Sequence, residues 1–212
     1  ESRINSNQNH NGFLPRMWSP EHAANYMNFT VPLSFSILPS YRSSEALRDR
    51  VNEFKNRIEE EELSGEDYNN FFKEFGPYLK IEKPSFFKNL SYLFNYQIGY
   101  MYVRYFMWNF TGRQNDVQGK FDVLDGNWIS GIPFIDKFRL GNQNNLTDDA
   151  KNNKARNTYF FLPFILGLIG FFFLYNQDKM KFWVLLLFFL FTGLALKIYL
   201  NERPFEPRER DY

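Results

Sequence analysis

The longest apolar stretches of the chain lie close together near its C-terminus. Residues 159–175 read YFFLPFILGLIGFFFLY, and residues 182–200 read FWVLLLFFLFTGLALKIYL, in which Lys197 is the one charged residue. At ~1.5 Å per residue these runs reach about 26 and 28 Å, close to the ~30 Å apolar thickness of a bilayer. Only residues 176–181 separate them. The pattern therefore predicts a two-helix transmembrane hairpin over 159–200.

A helical period recurs in the polar part of the chain between residues 43 and 76. Within Ser43–Leu63, apolar residues follow one another at intervals of four, three and four: Leu47, Val51, Phe54 and Ile58. This spacing predicts a helix with one apolar stripe. A second, short helix is predicted over Glu66–Phe75, and Gly76 followed by a proline ends it.

The segment 85–110 is rich in aromatic residues and also has a helical period. Its predicted apolar face consists of Phe86, Leu90, Leu93, Phe94, Gln97, Ile98, Met101, Tyr105 and Trp108. Such an amphipathic helix is expected either in the membrane interface or in the core of an aqueous domain. A third span is disfavoured because Lys88 and Arg104 interrupt the segment, and a charge at mid-depth costs ~2.5–3.5 kcal/mol.

These patterns divide the chain into five segments and predict a mainly α protein. Residues 1–42 form an irregular Pro-rich segment, 43–76 a soluble helical pair, 77–158 the aromatic helix followed by ordered loops, 159–200 the transmembrane hairpin, and 201–212 a juxtamembrane polar tail. Glycines recur through the loop region, where they mark turns.

Composition narrows the class of protein. The net charge is +1 without a basic stripe, so nucleic acid is not expected as a partner. The absence of cysteine excludes disulfides, Cys-bound zinc and thiol nucleophiles. The 26 Phe and 13 Tyr suit a chain that contacts a lipid bilayer. The sequence lacks an initiator Met and a signal peptide, so we expect a fragment of a longer chain; a complete two-span protein after processing is the alternative.

The common cofactor and metal motifs are missing. The sequence has no phosphate-binding Gly loop, no dinucleotide Gly pattern and no GxSxG or HExxH motif. The two histidines, His10 and His22, are twelve residues apart in polar or Pro-rich sequence, so no metal site is expected. We therefore expect no cofactor.

Three polar clusters remain as candidates for chemistry: residues 112–116, 126–131 and 207–212. The planar guanidinium group of an arginine can donate hydrogen bonds to two phosphate oxygens. A carboxylate can orient a hydroxyl group or accept its proton. The ring of Trp128, Trp18 or Trp108 could stack on a sugar. The candidate substrate-binding residues are Arg113, Asp116, Trp128, Arg208, Arg210 and Asp211. The competing interpretation is structural, with Arg–Asp pairs bridging loops and Gly-Asn-Trp forming a turn.

Several of these motifs together resemble a known family. They are LPRMW at 14–18, YMYVRYFMWNFTGRQND at 100–116, GNWISGI at 126–132, RLGNQ at 139–143, NTYFFLPFILGL at 157–168 and YLNERPFEPRERDY at 199–212. The chain thereby resembles a large bacterial family of multi-spanning membrane proteins related to protein O-mannosyltransferases of the GT-C type. Residues 40–76 carry no part of the resemblance.

The resemblance implies an enzyme that transfers a sugar from a polyprenyl-phosphate donor to an extracytoplasmic acceptor, expected to be a protein. It implies a location in the cytoplasmic membrane, with the large aqueous part outside and residues 176–181 in the cytoplasm. The catalytic carboxylate of such enzymes would lie outside this fragment. Counting Lys and Arg beside the spans instead favours both flanks inside, so charge leaves the orientation open. The alternative function is a non-catalytic membrane scaffold that docks an envelope partner through the charged helix 43–63.

Overall fold

The computed structural model describes residues 17, 19–29, 32–60, 63–119 and 122–201. The chain is mainly helical, as the sequence predicts. It divides into two compact units: the first contains the described residues up to Tyr96 together with Asn201, and the second contains Gln97–Leu200. The five-segment division drawn from the sequence stays a prediction.

The first unit consists of short helices around one two-stranded ribbon. Its elements are a 3-10 turn at Pro20–His22, α1 (Ala23–Phe29), β1 (Phe35–Ile37), a 3-10 turn at Pro39–Tyr41, α2 (Glu45–Glu59), α3 (Gly65–Phe75), a 3-10 turn at Gly76–Tyr78, β2 (Leu79–Ile81) and α4 (Phe86–Ser91). The strands β1 and β2 are antiparallel, and Phe35 lies opposite Ile81.

Both soluble helices predicted between residues 43 and 76 are present, and serines begin them. The Ser44 hydroxyl accepts a hydrogen bond from the Leu47 amide at 3.4 Å at the start of α2. At the start of α3, the Asp67 amide donates to the Ser64 hydroxyl, and the Asp67 carboxylate accepts from the Ser64 amide at 2.9 Å. This reciprocal capping box satisfies donors that the helix itself leaves unpaired.

The core of the first unit is aromatic. The rings of Phe54 and Phe71 stack with centroids 3.7 Å apart, and Tyr68 meets Phe54 edge to face. Phe35 from β1 contacts both phenylalanines. Burial raises the pKa of the Tyr68 hydroxyl. The predicted stripe of α2 is thus confirmed as its buried face.

The aromatic segment is a continuous helix, as predicted, but its buried face differs from the predicted one. It runs through α4, a π-helical stretch (Tyr92–Val103) and α5 (Arg104–Phe110). Phe86 and Phe94, both on the predicted apolar face, are exposed, whereas Tyr92, which was not assigned to that face, is fully buried. From Tyr92 onward, the hydrogen bonds of the wider π turn join i to i+5, which changes the spacing of positions on one face.

The second unit combines ordered loops with apolar helices. After α5 its elements are β3 (Gly112–Arg113), α6 (Pro133–Leu140), a 3-10 turn at Gln143–Asn145, α7 (Asp148–Lys151), β4 (Asn157–Thr158), α8 (Leu162–Gln177), α9 (Lys179–Leu190), a π turn (Phe191–Ala195) and α10 (Leu196–Leu200). The sequence predicts only ordered loops between the aromatic helix and residue 158, so α6 and α7 correct that prediction.

The two apolar helices begin and end at other residues than the predicted spans. α8 starts at Leu162 rather than at Tyr159, because Phe160 and Phe161 have positive φ angles of 52° and 60° that an α-helix does not accommodate. The predicted six-residue connection is reduced to Asp178, whose carboxylate accepts a hydrogen bond from the Lys181 amide at 3.1 Å and caps α9. In the described residues, the helix Lys179–Leu200 is long and apolar enough to cross a membrane, and α8 is a shorter apolar helix.

The C-terminal half of the aromatic helix packs on both apolar helices. The ring of Phe106 contacts Phe164 of α8 and Phe189 of α9, at centroid distances of 6.1 and 5.8 Å. A Cβ on Gly193 would lie 2.7 Å from the Tyr102 hydroxyl, so the absence of a side chain at Gly193 permits this close approach.

Candidate functional site

Three short backbone segments of the second unit meet side by side. β3 pairs antiparallel with β4, so that Arg113 lies opposite Asn157. On the other side of β3, Arg113 forms an antiparallel bridge with Trp128. The Gln114 amide donates to the Asn127 carbonyl at 2.9 Å, and the Ile129 amide donates to the Gly112 carbonyl at 3.0 Å. The first two predicted polar clusters, 112–116 and 126–131, are therefore neighbours in space.

Gly112 is required at the centre of this junction. Its φ angle is +145°, a conformation that side chains with a Cβ rarely adopt. A Cβ at this position would lie 2.5 Å from the Ile129 carbonyl oxygen and 2.6 Å from that of Asn157. Glycine thus allows both neighbouring segments to approach the same strand.

Two guanidinium groups stack on two indole rings at this junction. Arg113 lies over the Trp108 ring at 4.0 Å, and Arg139 lies over the Trp128 ring at 3.5 Å. Because residues opposite each other in an antiparallel pair share a face, the side chains of Arg113 and Trp128 are neighbours. We call Trp108, Arg113, Trp128 and Arg139 the Arg–Trp row.

The backbone and the loops hold this row in place. The Trp108 indole donates to the Asn115 carbonyl at 3.2 Å, and the Arg139 guanidinium donates to the Trp128 carbonyl at 3.0 Å. The buried Nε of Arg113 has no hydrogen-bond partner among the described residues. Stacking fixes the plane of this guanidinium, so its donors point in defined directions.

Asp136 anchors the base of α6 to the same junction. Its Oδ1 accepts hydrogen bonds from the Ser130 amide at 2.8 Å and the Ser130 hydroxyl at 2.9 Å, and its Oδ2 accepts one from the Gly131 amide at 2.8 Å. The carboxylate is buried and its negative charge faces two arginines. Three donated hydrogen bonds offset the cost of burying the charge.

Partial burial also changes the pKa of two arginines near Asp136. Desolvation lowers the pKa of Arg139 and of Arg156, and the charge of Asp136 partly opposes this lowering in each. Arg156 also donates to the Gln143 side-chain oxygen at 3.0 Å. Both guanidinium groups remain positively charged at neutral pH because an arginine starts from a very high pKa. Two guanidinium groups therefore act on the single carboxylate of Asp136.

The structure separates the predicted site residues into three groups. It brings Arg113 and Trp128 together in the Arg–Trp row. Asp116 is exposed on the loop after Asn115 and takes no part in that row. Arg208, Arg210 and Asp211 lie outside the described residues. Trp108, Arg139 and Asp136 complete the site. Of these, Trp108 is one of the rings that the sequence offers for stacking on a sugar, whereas Arg139 and Asp136 are not among the predicted site residues.

The described part of the chain contains no group of three His, Asp or Glu side chains suited to hold a metal ion. The arrangement is instead one of stacked cations beside aromatic rings. Its chemistry suits recognition of an anion with an apolar or sugar neighbour, since guanidinium donors bind phosphate oxygens and indole rings pack on apolar faces.

Comparison with known proteins concerns mostly the first unit. The profile of a family described as "Family of unknown function (DUF8416)" matches residues 1–94 of the chain. That match ends two residues before Tyr96, the last residue of the N-terminal part of the first unit. Comparisons with curated proteins and with solved structures give no match.

Proposed function

We propose that this chain is a membrane-anchored module whose apolar helices cross a bilayer as a two-helix hairpin and hold the Arg–Trp row among the lipid headgroups. The observation that carries this proposal is the exposure of large apolar side chains on both helices. Phe172 of α8 is 68% exposed and Phe188 of α9 is 67% exposed. A contiguous apolar surface of this kind requires a cover, and lipid provides it.

The helix lengths fit this proposal. The 22 residues of Lys179–Leu200 reach about 33 Å, enough to cross the ~30 Å apolar layer with some tilt. The 16 residues of α8 reach about 24 Å, and a short span is accommodated by local thinning of the bilayer. Ring contacts of Phe182 with Phe171 and Tyr175 join the two helices beside Asp178.

The hairpin would set the depth of the Arg–Trp row. Phe161, which directly precedes α8, contacts the Trp128 ring at 5.8 Å. The row therefore lies at the level where α8 would enter the bilayer. Tryptophan and arginine are both favoured at this level, where the lipid phosphates also lie. We propose the phosphate of a membrane lipid as the ligand of Arg113.

The resemblance described above makes this ligand more specific. We propose that the parent protein is a glycosyltransferase of the GT-C type in the cytoplasmic membrane, and that Arg113 and Trp128 support the polyprenyl-phosphate sugar donor on the extracytoplasmic side. Arg208, Arg210 and Asp211 would join them from beyond the second span. An arginine at the donor phosphate would stabilise the charge that develops as the sugar leaves.

The anchoring proposal is tested by fractionating the full chain after expression in membranes. The chain is expected to sediment with membranes washed in alkaline carbonate and to need detergent for release. Phe188→Arg places a charge at mid-depth, at a cost of ~2.5–3.5 kcal/mol, and should reduce the inserted fraction. Phe87→Arg, at a similarly exposed residue of the first unit, is the matched control. A wild-type chain that stays in the supernatant without detergent would overturn the proposal.

The ligand proposal is tested by titrating the detergent-solubilised chain with a polyprenyl phosphate and with the matching polyprenol, following tryptophan fluorescence. The phosphate is expected to bind and the alcohol to bind much more weakly. Arg113→Gln should weaken phosphate binding by about 10- to 150-fold, because a charged hydrogen bond contributes about 1.5–3 kcal/mol. Arg50→Gln, on the surface of the first unit, should change nothing. Equal binding of both lipids would contradict the proposal.

A scaffold function is the second candidate, and the family match favours it. A family profile that ends where the first compact unit ends suggests that this unit has a role of its own. Its exposed α2 residues, such as Arg50 and Glu53, would then contact an envelope partner. Under this proposal, reversing both charges should abolish complementation of a gene deletion, whereas Arg113→Gln should not.

A further inference from the structure

The short helix α6 presents two phenylalanine rings away from the protein. Phe134 is 82% exposed and Phe138 is 87% exposed, which makes them the two most exposed large apolar side chains of the described residues. They are four residues apart, so they lie on the same side of the helix. The exposed residue Lys137 lies beside them.

The opposite side of α6 is fixed rigidly to the second unit. Asp136 accepts the hydrogen bonds from Ser130 and Gly131, and Arg139 donates to the Trp128 carbonyl while it stacks on the indole. The helix thus directs Asp136 and Arg139 inward and its phenylalanines outward, whereas an ordinary surface helix buries its apolar residues. Exposing two phenylalanine side chains costs several kcal/mol relative to burying them.

The base of α6 adjoins the start of α8. The Phe160 amide donates to the Ser130 carbonyl at 3.0 Å. A Cβ on Gly131 would lie 2.8 Å from the Phe160 ring, so the two segments are in direct contact. Phe160, itself exposed, is followed by Phe161 and then by α8. The helix α6 therefore begins beside the start of the proposed span.

We propose that α6 is an interfacial foot, whose Phe134 and Phe138 insert into the bilayer at the surface where α8 enters it. This inference rests on the proposed membrane span and adds a second, shallow contact with lipid. The occupant of this surface is the boundary between headgroups and acyl chains, where an amphipathic helix buries its apolar face. Lys137 would then lie near the lipid phosphates.

The foot would also orient the Arg–Trp row. Arg139 belongs to α6 and to the row at once, so insertion of Phe134 and Phe138 fixes the height of Trp128 above the acyl chains. If the hairpin were the only contact with lipid, the loops of the second unit could tilt relative to the membrane surface. A second contact beside it restricts that motion, so the row keeps a constant depth.

Single-cysteine labelling tests the proposal directly, because the chain contains no cysteine. F134C and F138C are labelled with a nitroxide in the full chain, reconstituted into vesicles of phosphatidylcholine and phosphatidylglycerol. Collisions with oxygen, which concentrates in lipid, are compared with collisions with a water-soluble nickel chelate. The label at F172C in α8 is the reference for a lipid-buried position. The label at L124C, in a polar loop and about as exposed as Phe172, is the reference for a water-exposed position.

Both α6 labels are expected to collide with oxygen more often, relative to the nickel chelate, than the label at L124C does. Their ratio should stay below that of F172C, which corresponds to a shallower position in the bilayer. Water-accessible F134C and F138C together with a lipid-buried F172C would overturn the foot and leave the span intact. A water-accessible F172C would overturn the span itself. Labels at Phe134 and Phe138 that are protected from the nickel chelate in native membranes but not in purified vesicles would indicate a protein partner. This result would also overturn the foot.

Discussion

The carboxylate of Asp136 is the point at which the structure predicts the largest local effect of a single substitution. Asp136→Ala removes the acceptor of the buried Ser130 amide and hydroxyl and of the half-buried Gly131 amide. It also removes the negative charge that acts on the half-buried guanidinium groups of Arg139 and Arg156.

The magnitude follows from the two backbone donors. A buried donor without a partner costs ~1–3 kcal/mol, and the Ser130 hydroxyl can turn towards another acceptor. We therefore expect a loss of about 3 kcal/mol in the free energy that keeps this junction closed, which corresponds to an opening about a hundred times more frequent. Asp136→Asn retains one acceptor oxygen and should lose about half as much.

Hydrogen exchange of the full chain in detergent measures this opening. Peptides covering residues 128–132 should exchange about a hundred times faster in Asp136→Ala, with Asp136→Asn between the variant and the wild type. Peptides from α2, in the other unit, serve as the internal control and should not change. The reasoning fails if residues 128–132 exchange at the wild-type rate, or if the α2 peptides accelerate equally, which would indicate general unfolding.

Two further predictions concern other parts of the chain. Gly193→Val should lower the melting temperature in detergent, because the new side chain would displace the Tyr102 ring. Gly167→Val is the control and should not lower it, since no atom lies within 4 Å of the Cβ position there. Equal effects of both substitutions would contradict the packing at Gly193. Hydrogen bonds from Ser64 lower the pKa of the Asp67 carboxyl. Its stabilising contribution is therefore complete above the unfolded-state value near 3.8 and is lost as the pH falls through the lower folded value. Asp67→Asn should remove this acid dependence of α3, followed by hydrogen exchange across an acid titration.

Local patterns predicted the helices well where one apolar stripe decides the structure. The stripe of Leu47, Val51 and Phe54 is such a case, because a regular α-helix repeats its faces at a constant interval. The same rule gave an incorrect buried face for the aromatic helix. A π-helical stretch changes the interval, and nothing in the composition of Tyr92–Val103 announces that change.

The candidate site was predictable only in part, for a related reason. Arg113 and Trp128 stood out as polar and aromatic residues beside glycines. The bridge between Arg113 and Trp128 and the stacking of Arg139 from α6 on Trp128 are long-range contacts, which no local pattern reveals. One signal for α6 was present, since Pro133 occupies the first position of the helix, where proline is favoured.

The start of α5 imposes a constraint on how this sequence can evolve. Arg104 donates to the Gly126 carbonyl on one side of the helix, while Phe106 contacts the two apolar helices on the other. Adding or deleting one residue between Arg104 and Phe106 would turn one of these side chains by about 100° about the helix axis relative to the other. Relatives that share this architecture should therefore keep the spacing of these two residues constant, whereas insertions should be tolerated in the exposed loop around Leu124.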